Sequence, residues 1–284
     1  MLIVIIKKIM KNTYVVLLSI LILSIFLGGC TTTSQTKIVT PTPTIQTACF
    51  LPSERPAWFG NTTTKIFPYV VNGQDGSIEL TLDQKWYWYY LCRSEEMHER
   101  VESHVMRCDP PGQNCVYSTS TFMRPLALIN ESIEYSAVQP LVDAIKSKST
   151  DPEMQARIAI SLVQNIPYNY DKANSMTASN YTVIVHYASP YEVLYENTGI
   201  CEEKSALLVL LLNELGYDSA YFEFDADHHA MVGIGSDGSG QYQNTGYIII
   251  ESTNPYPIGA ISSSITSTPT VWKFPGTLKF HLSS

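Results

Sequence analysis

From Ala206 to Leu212 the chain reads Ala-Leu-Leu-Val-Leu-Leu-Leu, inside a stretch, Cys201 to Leu215, that holds neither Pro nor Gly. At 3.6 residues per turn such a run is apolar on every side, so the helix it forms has to be enclosed by other elements rather than laid on a surface. Gly216 supplies the residue that ends it. Beyond it come Ser219 to Phe224, a turn at Asp225 to Asp227, His228 to Ile234, and Tyr247 to Thr253, the last running into the breaker Asn254-Pro255. These short β-branched and aromatic segments read as strands. The expected fold class is α+β, with one buried helix packed on an antiparallel sheet.

The two ends of that unit carry the chemistry. Gly199 permits a tight turn that delivers Cys201 to the first turn of the helix, where unpaired N–H groups and the helix dipole favour a thiolate. Glu202 and Glu203 oppose this unless they point to solvent or to Lys204, so the thiol needs a partner base. Strand alternation puts His229 with Met231 and Gly233, and His228 with Ala230 and Val232, so one histidine alone can face the cysteine helix. Glu251 at the end of the next strand is placed to orient an imidazole.

Several segments carry a resemblance: Val163-Gln164-Asn165-Ile166-Pro167-Tyr168, Gly199 to Ser205 with the helix to Tyr217, His229-Ala230-Met231-Val232-Gly233, and Tyr247 to Thr253. In order and spacing, residues from about 150 to 260 resemble a transglutaminase-like domain of the papain-like cysteine peptidase superfamily. The resemblance implies Cys201 as nucleophile, His229 as base and Glu251 as acid, the last standing where many relatives have Asp. It also implies a possible oxyanion role for the Gln164 amide. The plainer readings are a cysteine that is only a small buried residue, a structural strand histidine, and Gln164 as a surface polar residue of its helix. The same fold also serves as a binding module without turnover. A metal cluster of Asp225, Asp227, His228 and His229 is disfavoured, because adjacent strand histidines point apart and no closed zinc spacing is present. No cofactor is expected.

The N-terminus reads as an address. Lys7, Lys8 and Lys11 precede an apolar run from Tyr14 to Leu27 and then Leu27-Gly28-Gly29-Cys30. Residues 1–29 resemble a lipoprotein signal, with Cys30 the lipidated residue; an uncleaved signal anchor is the alternative. Residues 30–48, rich in Thr and Pro, read as an extended spacer. The expected location is the extracytoplasmic face of a membrane. Loss of the signal's three lysines takes the formal charge from -8 to -11, which, with no basic stripe anywhere, excludes nucleic acid as a partner; the resemblance to a thiol acyl-transfer site implies a protein or peptide substrate. No feature fixes an oligomeric state.

Cys49, Cys92, Cys108, Cys115 and Cys201 then remain, an odd number in an oxidising space. Cys201 is the natural free thiol, and the other four, all in residues 49–134, are disulfide candidates with three possible pairings. This N-terminal region is expected to be a smaller disulfide-containing mixed unit, with Ile78 to Leu82 and the aromatic Trp86 to Leu91 as strands and a surface helix over 93–107. Residues 135–284 form the second domain, in which Ala137 to Lys148 and a capped segment from Thr150 to Ile166 are helices. Tyr181, Tyr187, Tyr191 and Tyr195 lie in a loop able to wall a cleft, and Trp272 to Phe280 return as a closing strand.

Overall fold

The computed structural model describes residues 60–99, 105–108, 115–118, 132–178 and 186–282, with the side chains of 93–134 outside that set. Residues 1–59, and with them the signal, Cys30, the spacer and Cys49, therefore lie outside the described residues. Thr47 to Ser284 is one compact unit. Among the described residues no helix is long and apolar enough to cross a membrane.

The chain enters through a hairpin of β1 (Thr62–Val71) and β2 (Gln74–Asp83). Asn72 and Gly73, both with positive φ, form its two-residue turn, the pair that a type I′ hairpin favours. Phe67, Ile78, Leu80 and Leu82 face the main core, and the hairpin is tied to it by Val70 N–H donating to Ser161 Oγ at 2.8 Å.

Trp86 to Leu91 departs from the expected strand: it lies in helix α1 (Gln84–Glu99). Trp86, Tyr89 and Tyr90 recur at i, i+3 and i+4, so the helix gathers them on one face, with Tyr89 and Tyr90 buried and Trp86 stacked on Tyr90 at 5.9 Å. Their β preference is overridden by this packing. A 4.5 Å stack of Tyr87 on Tyr195 and the contact of Tyr90 with Tyr191 dock the helix on the short helix Pro190–Glu196. The surface helix expected over 93–107 is met only as far as Glu99; Val105–Cys108 (β3) pairs with Cys115–Ser118 (β4). Cys92 is disulfide-bonded, whereas the pairing of Cys49, Cys108 and Cys115 falls on side chains outside the described residues.

Helices α2 (Ser132–Lys148) and α3 (Pro152–Asn165) follow as expected. Asp151 caps α3 by accepting from Glu153 N–H, with Pro152 in the first turn. After α4 (Tyr170–Ala178), the short α5 (Pro190–Glu196) opens on a capping box between Ser189 and Glu192 and closes on Asn197 in the left-handed region. Helix α6 (Cys201–Glu214) is the enclosed one: every residue from Ala206 to Leu212 is buried. Each such leucine contributes about 1.5–3 kcal/mol through burial.

The sheet has the antiparallel order β7-β6-β5-β8, from β5 (Ser219–Phe224), β6 (His229–Gly235), β7 (Tyr247–Ile250) and β8 (Thr270–Phe274). One face, including Tyr221, Ala230, Val232, Ile248 and Trp272, joins α6 in the main core. The other, with Phe222, Phe224, Met231, Tyr247 and Ile249, forms a second cluster closed by Tyr242, Ile261 and Ile265. His229 opens β6 on the side of Met231, whereas His228 stands outside the strand with φ 49°.

Gly233 shows how tightly the second cluster is filled. A Cβ there would stand 2.4 Å from the Phe222 ring and 2.9 Å from Tyr247 Cβ. Gly233→Ala is therefore expected to destabilise the protein by about 1–3 kcal/mol, the usual cost of overpacking; a urea midpoint equal to that of the parent would contradict this.

Candidate active site

Cys201 occupies the first position of α6, preceded by Ile200 in extended backbone. Its side chain is 4% exposed. The thiol donates to Glu202 Oε2 at 3.0 Å, and Tyr168 Oη lies 3.9 Å from the sulfur. The Ala230 backbone N–H also points to it, which brings the start of β6 against the nucleophile. Burial pushes the thiol well above its ordinary pKa, and the Glu202 charge and hydrogen bond raise it further, against smaller opposing effects from Ala230 N–H and Tyr168. The resting sulfur is a protonated thiol.

The two glutamates after the cysteine do different things. Glu203 is buried and fully partnered: Oε1 accepts from Ala188 N–H at 2.7 Å and from Lys172, and Oε2 accepts from Ile200 N–H at 2.9 Å. It thereby closes the first turn of α6 and fastens the loop before α5. Burial raises its pKa, while the Lys172 ammonium and the two backbone donors work against the rise. Glu202 lines a cleft together with Tyr187, Glu223 and His229. Its charge is directed at the sulfur, not removed from it.

His229 reaches its place through a local reversal. Asp225–Asp227 make a single 3-10 turn, His228 takes φ 49°, and β6 starts at the next residue. Val232 pairs with Ile250, so one step beyond the ladder Met231 stands level with Glu251, and His229 is the diagonal neighbour on the same face. The longer glutamate side chain spans that diagonal. His229 Nε2 and Glu251 Oε2 are 2.8 Å apart, and Oε1 accepts from Thr253 N–H at 2.8 Å and Thr253 Oγ at 2.6 Å. Burial works to raise the Glu251 pKa, but the His229 and Thr253 hydrogen bonds and the imidazole charge hold it below the ordinary glutamate value. Glu251 therefore orients the ring by its Nε2, which leaves Nδ1 for proton transfer.

The structure thus brings His229 and Glu251 into contact, while the Cys201 thiol is hydrogen-bonded not to the imidazole but to Glu202, which lines the same cleft as His229. Gln164 departs from both readings of the sequence. It is 7% exposed, and its amide nitrogen donates to the carbonyls of Glu251 and Tyr256, each at 2.9 Å. With both N–H bonds committed, it braces the chain behind Glu251 and has no donor left for an oxyanion. The hydroxyl beside the thiol that the sequence reading did not single out is that of Tyr168. Its phenol is held well above its usual pKa, first by burial and then by the Cys201 charge, and it adjoins the Cys201 backbone N–H. Position gave the signal: Tyr168 ends the same motif that contains Gln164.

Ser205, one turn after Cys201, donates to Ala230 O at 3.1 Å and shares a hydrogen bond with Ser252 Oγ at 2.9 Å. It links α6 to both strand ends. Among the described residues no three His, Cys, Asp or Glu side chains are grouped as a cation site. Asp227 instead accepts from the backbone N–H groups of Thr266 and Ser267 and from the Ser267 hydroxyl. That tether holds the Ser/Thr-rich segment as one wall of a 290 Å³ cavity, whose lining includes His229, Glu251, Asn254, Tyr256 and Ile265.

Tyr191 and Tyr195 pack on α1 and stand away from the cleft, Tyr187 lines it, and Tyr181 lies outside the described residues. No curated protein matches the chain. Among solved structures, one described as a "putative protease" from Parabacteroides distasonis is 15% identical with a TM-score of 0.30, covering 69% of this chain and 37% of that one. This chain thus spans little more than a third of that protein. A "putative cysteine protease" from Cytophaga hutchinsonii is 11% identical with a TM-score of 0.30, covering 79% and 82%. The family model described as a transglutaminase-like domain matches residues 136–259, the span that holds Tyr168, Cys201, His229 and Glu251.

Proposed function

We propose that the protein is a membrane-tethered, extracytoplasmic thiol enzyme that acts on protein or peptide amide bonds through a thioester acyl-enzyme. The observation that carries the reading is the 2.8 Å contact of His229 Nε2 with Glu251 on the strand that also presents Ala230 N–H to Cys201. The tether belongs to residues 1–29 and Cys30, whose sequence resembles a lipoprotein signal.

In this mechanism Glu202 turns from the sulfur as substrate enters. The Cys201 sulfur attacks the amide carbon while its proton passes to His229 Nδ1, and Glu251 stabilises the imidazolium. The Cys201 N–H and Tyr168 hydroxyl donate to the developing oxyanion. Collapse breaks the C–N bond, and His229 returns the proton to the departing amine. Water or a second amine then attacks the thioester, gives its proton to His229 and releases the thiol. The first acceptor makes a peptidase or amidase, the second a transglutaminase.

One observation favours a second reading, a cell-surface module that binds protein in the same cleft without turnover: the resting thiol is buried, protonated and hydrogen-bonded to Glu202.

Turnover of a peptide carboxamide substrate separates the two. Cys201→Ala and His229→Ala are expected to abolish it with unchanged circular dichroism, and Tyr168→Phe to lower kcat by about 100-fold or more, the usual loss for one oxyanion donor. An active Cys201→Ala protein would remove the enzyme reading in this form. Titration of thiolate absorbance gives an independent check. Glu202→Gln removes the charge and the acceptor that raise the Cys201 pKa, so the midpoint should fall and the thiolate fraction at pH 7–8 should increase. An unchanged or higher midpoint would show that Glu202 does not control the thiol.

A further inference from the structure

We infer that Lys204, with Gln164, is a positioning pair for the His229–Glu251 dyad, an internal clamp that fixes the chain from Glu251 to Tyr256 against the nucleophile helix. The inference rests on the proposed thiol chemistry and adds to it a buried cation that no step of that chemistry uses.

Lys204 is fully buried in the second turn of α6. Its ammonium donates to three carbonyls: Ile166 at 2.6 Å, Thr253 at 3.1 Å and Gln164 at 3.4 Å. Two of these lie at the C-terminal end of α3, where helix carbonyls lack intrahelical partners and a cation is favoured. The third belongs to the residue that holds Glu251. Thr253 gives Glu251 Oε1 both its N–H and its hydroxyl, and Glu251 in turn holds the imidazole. An unbroken series of hydrogen bonds thus runs from Lys204 through Thr253 and Glu251 to His229.

The acid-bearing segment needs this support because it has left the sheet. Strand β7 ends at Ile250, so the carbonyls that follow have no ladder to join, and buried carbonyls without donors are costly. Gln164 Nε2 supplies Glu251 O and Tyr256 O, and Lys204 supplies Thr253 O. Cys201, Lys204 and Ser205 lie at i, i+3 and i+4, on one face of α6, so the face that delivers the thiol also grips the acid. Burial lowers the Lys204 pKa to about 8, opposed by the negative charge at Glu251. The ammonium therefore remains largely protonated at neutral pH, with all three of its protons donated.

The test follows the His229 Nε2–H proton by NMR in the full chain labelled with 15N-histidine, the resonance being assigned by its loss in His229→Ala. A hydrogen bond to a fixed carboxylate protects this proton from exchange with water. Lys204→Met keeps the length of the side chain without its donors and is expected to accelerate exchange at least tenfold, whereas Gly233→Ala, destabilising through Phe222 and Tyr247 and not through the clamp, is expected to leave the rate within twofold. Should Lys204→Met fail to fold, Gln164→Leu removes the other half of the clamp and carries the same expectation. A folded Lys204→Met or Gln164→Leu protein with exchange within twofold of the parent overturns the inference, as does equal acceleration by Gly233→Ala. Absence of the protected proton in the parent itself removes the dyad, and with it the enzymatic reading on which the clamp rests.

Discussion

Helix α6 is enclosed on all sides, yet its first turns carry Cys201, Glu203, Lys204 and Ser205 into the interior. A buried polar group costs free energy unless it is hydrogen-bonded, and a buried charge costs more. The architecture around the helix answers that demand group by group. Glu203 takes the N–H groups of Ile200 and Ala188 with Lys172, Ser205 joins Ala230 and Ser252, and the Lys204 ammonium collects three carbonyls. Each partner lies on a different segment, so satisfying one short stretch of helix draws α3, α4, the loop before α5, and the ends of β6 and β7 to one point. That point is the site. The apolar half of α6 supplies the burial, and the polar half supplies the alignment.

The electrostatics of the site follow from which charges are neutralised locally. Glu203 meets a cation and two backbone donors, whereas Glu202 is aimed at the sulfur and raises its pKa. The helix dipole favours thiolate by a smaller amount than burial and Glu202 oppose it. In the proposed extracytoplasmic setting, a thiol that stays protonated and only 4% exposed is protected from oxidation. In the proposed mechanism reactivity depends on the displacement of Glu202, which would make substrate entry and thiol activation one event.

Much of this was legible in the sequence where a local pattern and a long-range need agreed. The uninterrupted apolar run at Ala206 to Leu212 required burial, and the capped segment opening at Thr150-Asp151-Pro152 marked a helix start that the structure contains. The aromatic run at Trp86 failed because residue preference and helical spacing conflicted, and spacing prevailed once Tyr191 and Tyr195 offered a face to stack on. Gln164 was misread for a related reason: a polar residue beside an apolar stripe looks solvated until the carbonyls beyond β7 are found to need its donors. Lys204 carried a signal of its own, a lone cation one turn from the cysteine in a helix without a polar face. Its carbonyl partners sit 38, 40 and 49 residues away along the chain, and no local pattern reports them.

The most direct test of the central claim is the rate of Cys201 alkylation by iodoacetamide as a function of pH, in the parent protein and in His229→Ala. If the imidazole serves the thiol, the parent profile contains a limb set by histidine ionisation, and His229→Ala leaves a single rise above the free-thiol pKa of about 8.5. Two superimposable profiles would contradict the account, since the nucleophile and the dyad would then be neighbours in the fold without being coupled in chemistry.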